Sequence, residues 1–246
     1  LIWYILLVGY INAATPDPVF GENGMVVSTS RQASIAGIEI LKKGGNAVDA
    51  ACATGFVLAV TSSSNGNIGG GGFMVVHKED STIFTLDYRE IAPAAPHRDM
   101  FLDSNGEVID NMSLRTRAAS GVPGRVDGLL KAWKDYGSGN ISRRELLAPA
   151  IILAERGFEL SHYEAKRFNN NRDLFLRNKA AAKIFIRADG RAWKAGDRFI
   201  QKDLARALKR ISREGRDGFY TGKTADLIIA EMNRGIGLIT HWDLLH

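Results

Sequence analysis

Hydrophobic positions in the first ninety residues switch between two periods, and each switch marks an element. Met25-Val-Val-Ser28 reads as a short strand. Residues 31–43 then show helical spacing, with Ile35, Ile38 and Leu41 along one face beside Ala33, Ala36 and Ile40. Gly44-Gly45 stops this helix in the usual C-terminal manner. Asn46 is placed to cap a second helix, with Asp49 in its first turn where a negative charge suits the helix dipole. From 47 to 60 the chain is apolar almost all round, which predicts a buried helix.

Residues 66–77, GNIGGGGFMVVH, join that helix to a strand. Consecutive glycines carry a large entropic cost on folding, so Gly69–Gly72 require a structural reason such as close approach of another segment. A phosphate-binding loop would be followed by Lys and Ser or Thr, and a dinucleotide loop would open a helix. This loop opens a strand instead, so we read its glycines as packing elements near a site, not as ligand contacts. Residues 73–77 and 83–88 form two strands joined by the polar turn Lys78-Glu-Asp-Ser81. In the second strand Phe84, Leu86 and Tyr88 alternate with Thr85, Asp87 and Arg89, placing the latter three on the opposite face.

The remainder is largely helical. Ser142-x-x-Glu145 and Ser161-x-x-Glu164 are capping-box patterns, and Gly157 ends the helix that the first begins. Residues 203–213 and 223–234 read as further helices, and Thr240-His-Trp-Asp243 as the opening of another. The chain stops at His246 as that element begins, which we read as truncation.

Composition changes this picture little. The apolar content of 45% and charged content of 24% are those of a globular protein, not of a disordered one. The net charge of +5 is uneven: residues 1–97 hold five Lys/Arg against eight Asp/Glu, and the rest hold twenty-seven against nineteen. No nucleic-acid recognition motif accompanies the basic part, so solvated helix faces account for it better. Cys52, the sole cysteine, sits among alanines and reads as a small buried hydrophobe. The histidines show no metal-ligand spacing, so no metal is expected.

The opening apolar run, residues 1–11, is too short to span a bilayer. With Asn12-Ala-Ala14 after it, we read 1–14 as a signal-peptide remnant; the alternative is a buried segment of the mature protein. Asn111-Met-Ser113 and Asn140-Ile-Ser142 are glycosylation sequons, informative only in a eukaryotic secretory pathway.

GGNAVDAA at 44–51, GNIGGGGFM at 66–74, LDYREIAP at 86–93 and ASGVPG at 119–124 occur in this order. RDMF at 98–101, AERG at 154–157, GFYTG at 218–222 and GLIT at 237–240 continue the series. Together they closely resemble the large-subunit part of the gamma-glutamyltranspeptidases, over roughly residues 24–246. The resemblance implies an α/β N-terminal-nucleophile hydrolase fold, an αββα sandwich of which this chain would carry an incomplete part with a helix-rich second half. It implies a precursor that cuts itself into large and small subunits and frees a threonine whose hydroxyl attacks γ-glutamyl amides. That threonine's own amine can act as base. The acyl-enzyme passes the γ-glutamyl group of compounds such as glutathione to water, amino acids or peptides, with no cofactor. A periplasmic or secreted location follows from the same likeness.

In that family the arginine of D-x-R-E-x-A-P binds the donor's α-carboxylate, and the matching residue is Arg89. A guanidinium fork suits a carboxylate in two parallel hydrogen bonds. The residues alone also allow a structural ion pair with Asp87 or Glu90. Glu90, with Asp87, is expected to support Arg89 or the site wall. No segment resembles the processing threonine followed by histidine, so the chain is expected to hold no catalytic nucleophile and to be inert alone. Thr221, Thr224 and Thr240 occupy large-subunit positions and are not that nucleophile. Two other functions stay open: a relative acting on other amides, such as β-lactam side chains or poly-γ-glutamate, and a non-catalytic homologue.

Overall fold

Asn46 fixes the junction of the first two helices, α1 (Arg31–Lys42) and α2 (Ala47–Thr61). In this computed structural model, which describes residues 17–246, its Oδ1 accepts from the amides of Val48 and Asp49 at 2.9 and 3.0 Å. Asp49 Oδ2 accepts from Asn46 N at 2.9 Å and so completes a capping box. The segment read as a signal-peptide remnant, 1–14, lies outside the described residues.

As expected, α2 is buried nearly all round: only Ala47, Ala51 and Leu58 fall outside its buried set. It forms the spine against which α1, α4 (Arg125–Tyr136) and α5 (Arg143–Arg156) pack. The buried face of α1 is Ala33, Ala36, Gly37 and Ile40, and Ile35 points outward. The buried side is the Ala33–Ala36–Ile40 part of the expected apolar stripe, with Ile35 at its exposed margin. Close approach contributes: a methyl group at Gly37 would lie 2.5 Å from Thr54 Oγ1, so α1 meets α2 there without a side chain. Gly44 takes φ +86° after α1, the left-handed stop that glycine favours.

Residues 25–28 correct an expectation. They alternate in burial as a strand does, with Val26 inward and Met25 and Val27 exposed. Among the described residues they have no strand partner, so they form an extended segment and not a strand.

The antiparallel hairpin β1 (Phe73–His77) and β2 (Ile83–Asp87) follows the expected boundaries and turn. A short helix α3 (Met112–Arg115) and a 3-10 turn (Arg117–Ala119) lead to α4. Ser142 and Ser161 form the expected capping boxes of α5 and α6 (His162–Asn170). Between these helices lies β3 (Phe158–Glu159), which pairs with β4 (Arg198–Phe199). Helices α7 (Arg172–Leu176) and α8 (Lys179–Phe185) fill the interval, and Phe168, Phe175, Phe185 and Trp193 gather around Phe199.

Helices α9 (Lys202–Glu214), α10 (Asp217–Tyr220), α11 (Gly222–Met232) and α12 (His241–Leu245) complete the chain. The α/β class stands, with helices dominating. Among the described residues the β contribution is these two small sheets. No described helix is long and apolar enough to cross a membrane.

Candidate functional site

The end of β2 lies in a sleeve of glycine. Gly72 and Tyr88 exchange both backbone hydrogen bonds, at 3.2 and 3.0 Å, extending the hairpin one pair beyond the strands. A methyl group at Gly71 would lie 2.5 Å from Tyr88 O and 2.7 Å from Arg89 Cα. At Gly124 it would lie 2.3 Å from Tyr88 O, and at Gly128 2.2 Å from the Tyr88 ring. Side chains at these positions would hold the strand away from the loop and from α4. The glycines therefore meet protein atoms, as the packing reading requires.

Gly70 ties a third segment to this point. Its carbonyl accepts from Gly124 N at 3.1 Å and Arg125 N at 2.9 Å, and Ile91 pairs with Val122 across a short antiparallel bridge. Pro123 O in turn accepts from the buried Tyr220 hydroxyl at 2.7 Å, which anchors this segment on α10. Further along, Asp243 Oδ1 accepts from Ala94 N at 2.6 Å, so α12 clamps the chain just after the site. Burial works against the Asp243 charge, but the Thr240 hydroxyl and the Ala94 and Thr240 amides outweigh it and hold its carboxyl below the usual range.

Arg89 leaves this sleeve at its mouth. Its side chain is 56% exposed and borders a cavity of about 410 Å3 that β2, α4, α10 and α12 also line. The guanidinium lies 5.9 Å from the Phe73 ring centre, and its Nε lies 3.4 Å from Glu90 Oε2. That contact is ionic without hydrogen-bond geometry, and Glu90 Oε2 is buried with no hydrogen-bond donor. Among the described residues, no hydrogen bond engages the two terminal nitrogens of Arg89. Asp87 shares the outward face but accepts only from the Arg89 backbone amide, at 2.9 Å. The structure thus places Asp87 and Arg89 at one cavity mouth, with Glu90 against the Arg89 Nε and the terminal nitrogens of the fork unspent.

Other candidate groups are committed elsewhere. Burial pushes the Cys52 thiol up to about 12, aided by the neighbouring Asp49 charge, which excludes a reactive thiolate. Thr224 Oγ1 donates to Gly218 O at 2.6 Å, Thr221 Oγ1 to Asp217 O at 2.9 Å, and Thr240 caps α12. Arg125, whose Nε is buried without a partner, went unnoticed in the sequence although it directly follows the Gly-Val-Pro-Gly motif.

An exposed arginine stands at the end of this glycine-lined hairpin, and solved structures give the class of the fold. The chain superimposes on Helicobacter pylori gamma-glutamyltranspeptidase with a TM-score of 0.90 and 40% identity, covering 93% of this chain and 65% of that one. For the Pseudomonas nitroreducens gamma-glutamyltranspeptidase complexed with L-DON the TM-score is 0.84 at 43% identity, with 92% of this chain and 65% of that one covered. The fold is therefore that of the N-terminal-nucleophile hydrolases. The gamma-glutamyltranspeptidase family model matches residues 33–246, and the chain belongs to this family. A glutathione hydrolase proenzyme of Pseudomonas sp. (strain A14) is 44% identical over 234 residues, which is 95% of this chain and 40% of the relative. The chain thus spans less than half the length of the curated relatives it matches.

Proposed function

We propose that this chain supplies the donor-binding wall of a gamma-glutamyltransferase and glutathione hydrolase. The reading takes residues 24–246 as large-subunit sequence that works with a small subunit from the same precursor. The nucleophilic threonine belongs to that second part. The enzyme moves the γ-glutamyl group of glutathione and related compounds to water, an amino acid or a peptide, outside the cytoplasm, without a cofactor.

One observation carries this reading. Arg89 presents its terminal nitrogens, free of hydrogen bonds among the described residues, at the rim of a cavity. Such a fork binds a carboxylate through two parallel charge-assisted hydrogen bonds, whereas lysine supplies charge without that geometry. Glu90 steadies the guanidinium from its Nε side, and Asp87 fixes the turn of backbone that presents it.

The test uses the full-length protein with Arg89→Gln and Arg89→Lys. Charged hydrogen bonds contribute about 1.5–3 kcal/mol, so Arg89→Gln should raise the donor KM about 10- to 150-fold, with Arg89→Lys between. A donor amide lacking the α-carboxylate should lose its disadvantage in the Gln variant. Unchanged KM values in both variants would refute the role.

A further inference from the structure

We infer that Arg125 is a positioning residue: a second guanidinium, behind Glu90, that keeps this carboxylate from capturing the donor-binding fork of Arg89. The inference rests on the proposed role of Arg89 and adds a residue to it.

Three charged residues lie on the segments that meet at the glycine loop. Outermost is Arg89, whose Nε touches Glu90 Oε2 at 3.4 Å while its terminal nitrogens stay free among the described residues. Next is Glu90, packed against glycine: a methyl group at Gly121 would lie 2.9 Å from its Cβ, and one at Gly70 would lie 3.3 Å from its Oε1. Innermost is Arg125, whose backbone amide is bonded to that same Gly70. Arg125 Nη2 reaches the Gly55 carbonyl of α2 at 3.2 Å, and its Nε is buried without a partner. Glu90 Oε2 is likewise buried and without a donor.

Two orphaned atoms of opposite charge in one wall are unusual, because a buried charge without a partner costs several kilocalories. Both residues adjoin Gly70, and Tyr88 and Glu90, in that order, offset part of the effect of burial on the Arg125 charge. Removing one partner of a buried charge pair usually destabilises, because the other charge is left uncompensated, so stability alone gives Arg125 one role. The effect on Arg89 gives it a second. With positive charge on its inner side, Glu90 is held back and meets only the Nε edge of Arg89. Without it, the carboxylate has one cation left and closes on the guanidinium, consuming the fork that the donor needs.

The experiment measures donor kinetics and melting temperature in the full-length protein. Arg125→Met should raise the donor KM about three- to thirtyfold with kcat little changed, while the melting temperature reads separately the stability lost with this cation. Arg125→Lys, which keeps the charge, should restore most of the affinity. Adding Glu90→Gln to Arg125→Met should lower KM again, because a neutral amide no longer competes for Arg89. In an Arg89→Gln background Arg125→Met should have no further effect. A KM unchanged by Arg125→Met, or an effect simply additive with Arg89→Gln, overturns the inference. A KM unmoved by Arg89→Gln itself overturns the donor-anchor reading instead, so the two failures are distinct.

Discussion

Replacing Gly71 by alanine tests whether the glycine loop exists to let backbone approach backbone. The added methyl would meet Tyr88 O at 2.5 Å, Arg89 Cα at 2.7 Å and Glu90 N at 2.7 Å. All three are main-chain atoms, so no side-chain rotation relieves the contact. Either the loop or the end of β2 must move by several tenths of an ångström. Overpacking of this kind costs about 1–3 kcal/mol. The movement also strains the Gly72–Tyr88 pair of hydrogen bonds, each contributing about 1 kcal/mol net. Restricting the unfolded chain returns about 0.4–1 kcal/mol. The balance is a destabilisation of about 2–4 kcal/mol, working from these same contributions. Gly69 is the control, because its nearest neighbour would be the mobile Asn67 Oδ1 at 3.3 Å. Gly69→Ala should therefore change stability by less than about 1 kcal/mol. Urea denaturation of the full-length protein, followed by far-UV circular dichroism, separates the two variants. Equal midpoints for Gly71→Ala, Gly69→Ala and the parent would show that the loop is not close-packed on Arg89, and the reasoning would fail.

Asp243→Asn removes the charge that clamps Ala94 to α12 and should cost about 1.5–3 kcal/mol, because hydrogen bonds to a charged acceptor are lost or weakened. The sign of the pH effect follows from its lowered folded value: the stability Asp243 contributes is present above the unfolded value near 3.8 and is lost as pH falls through the folded value. Acid titration of the parent and the Asn variant should thus converge below that range, and parallel curves would contradict the clamp. Cys52, with its thiol pushed up to about 12 and buried, should react with a thiol reagent at neutral pH only after unfolding. Labelling of the native chain at the rate of the denatured one would show that α2 is not the buried spine.

The parts legible in the sequence are those whose cause is local. Ser142 with Glu145 and Ser161 with Glu164 each form within one helical turn, and both expected capping boxes stand; Asn46 caps α2 as expected, and Asp49, read only as a dipole charge, completes a third box. Alternation in β2 needs only neighbouring residues, so the placing of Asp87 and Arg89 on one face could be read directly. The strand expected at 25–28 failed because alternation supplies a face but not a partner. The spacing of α1 gave its apolar stripe, but which edge of that stripe is buried depends on the distance to α2 at Gly37.

The same distinction explains what stayed hidden at the site. Arg89 could be found from its motif, but the sleeve that presents it is assembled from Gly71, Gly72, Gly124 and Gly128, which come from two separate stretches of chain. A glycine motif announces that something approaches closely without saying what approaches. Here the partner is Tyr88, so the GGGG and GVPG segments turn out to be two sides of one seat. Arg125 is brought to that seat by the hydrogen bond from its own amide to Gly70, and nothing in a linear reading ties it to this loop. That Glu90 and Arg125 share Gly70 is a product of tertiary contact alone. The proposed anchor is therefore named by the sequence, while the freedom of its fork is a property of the fold.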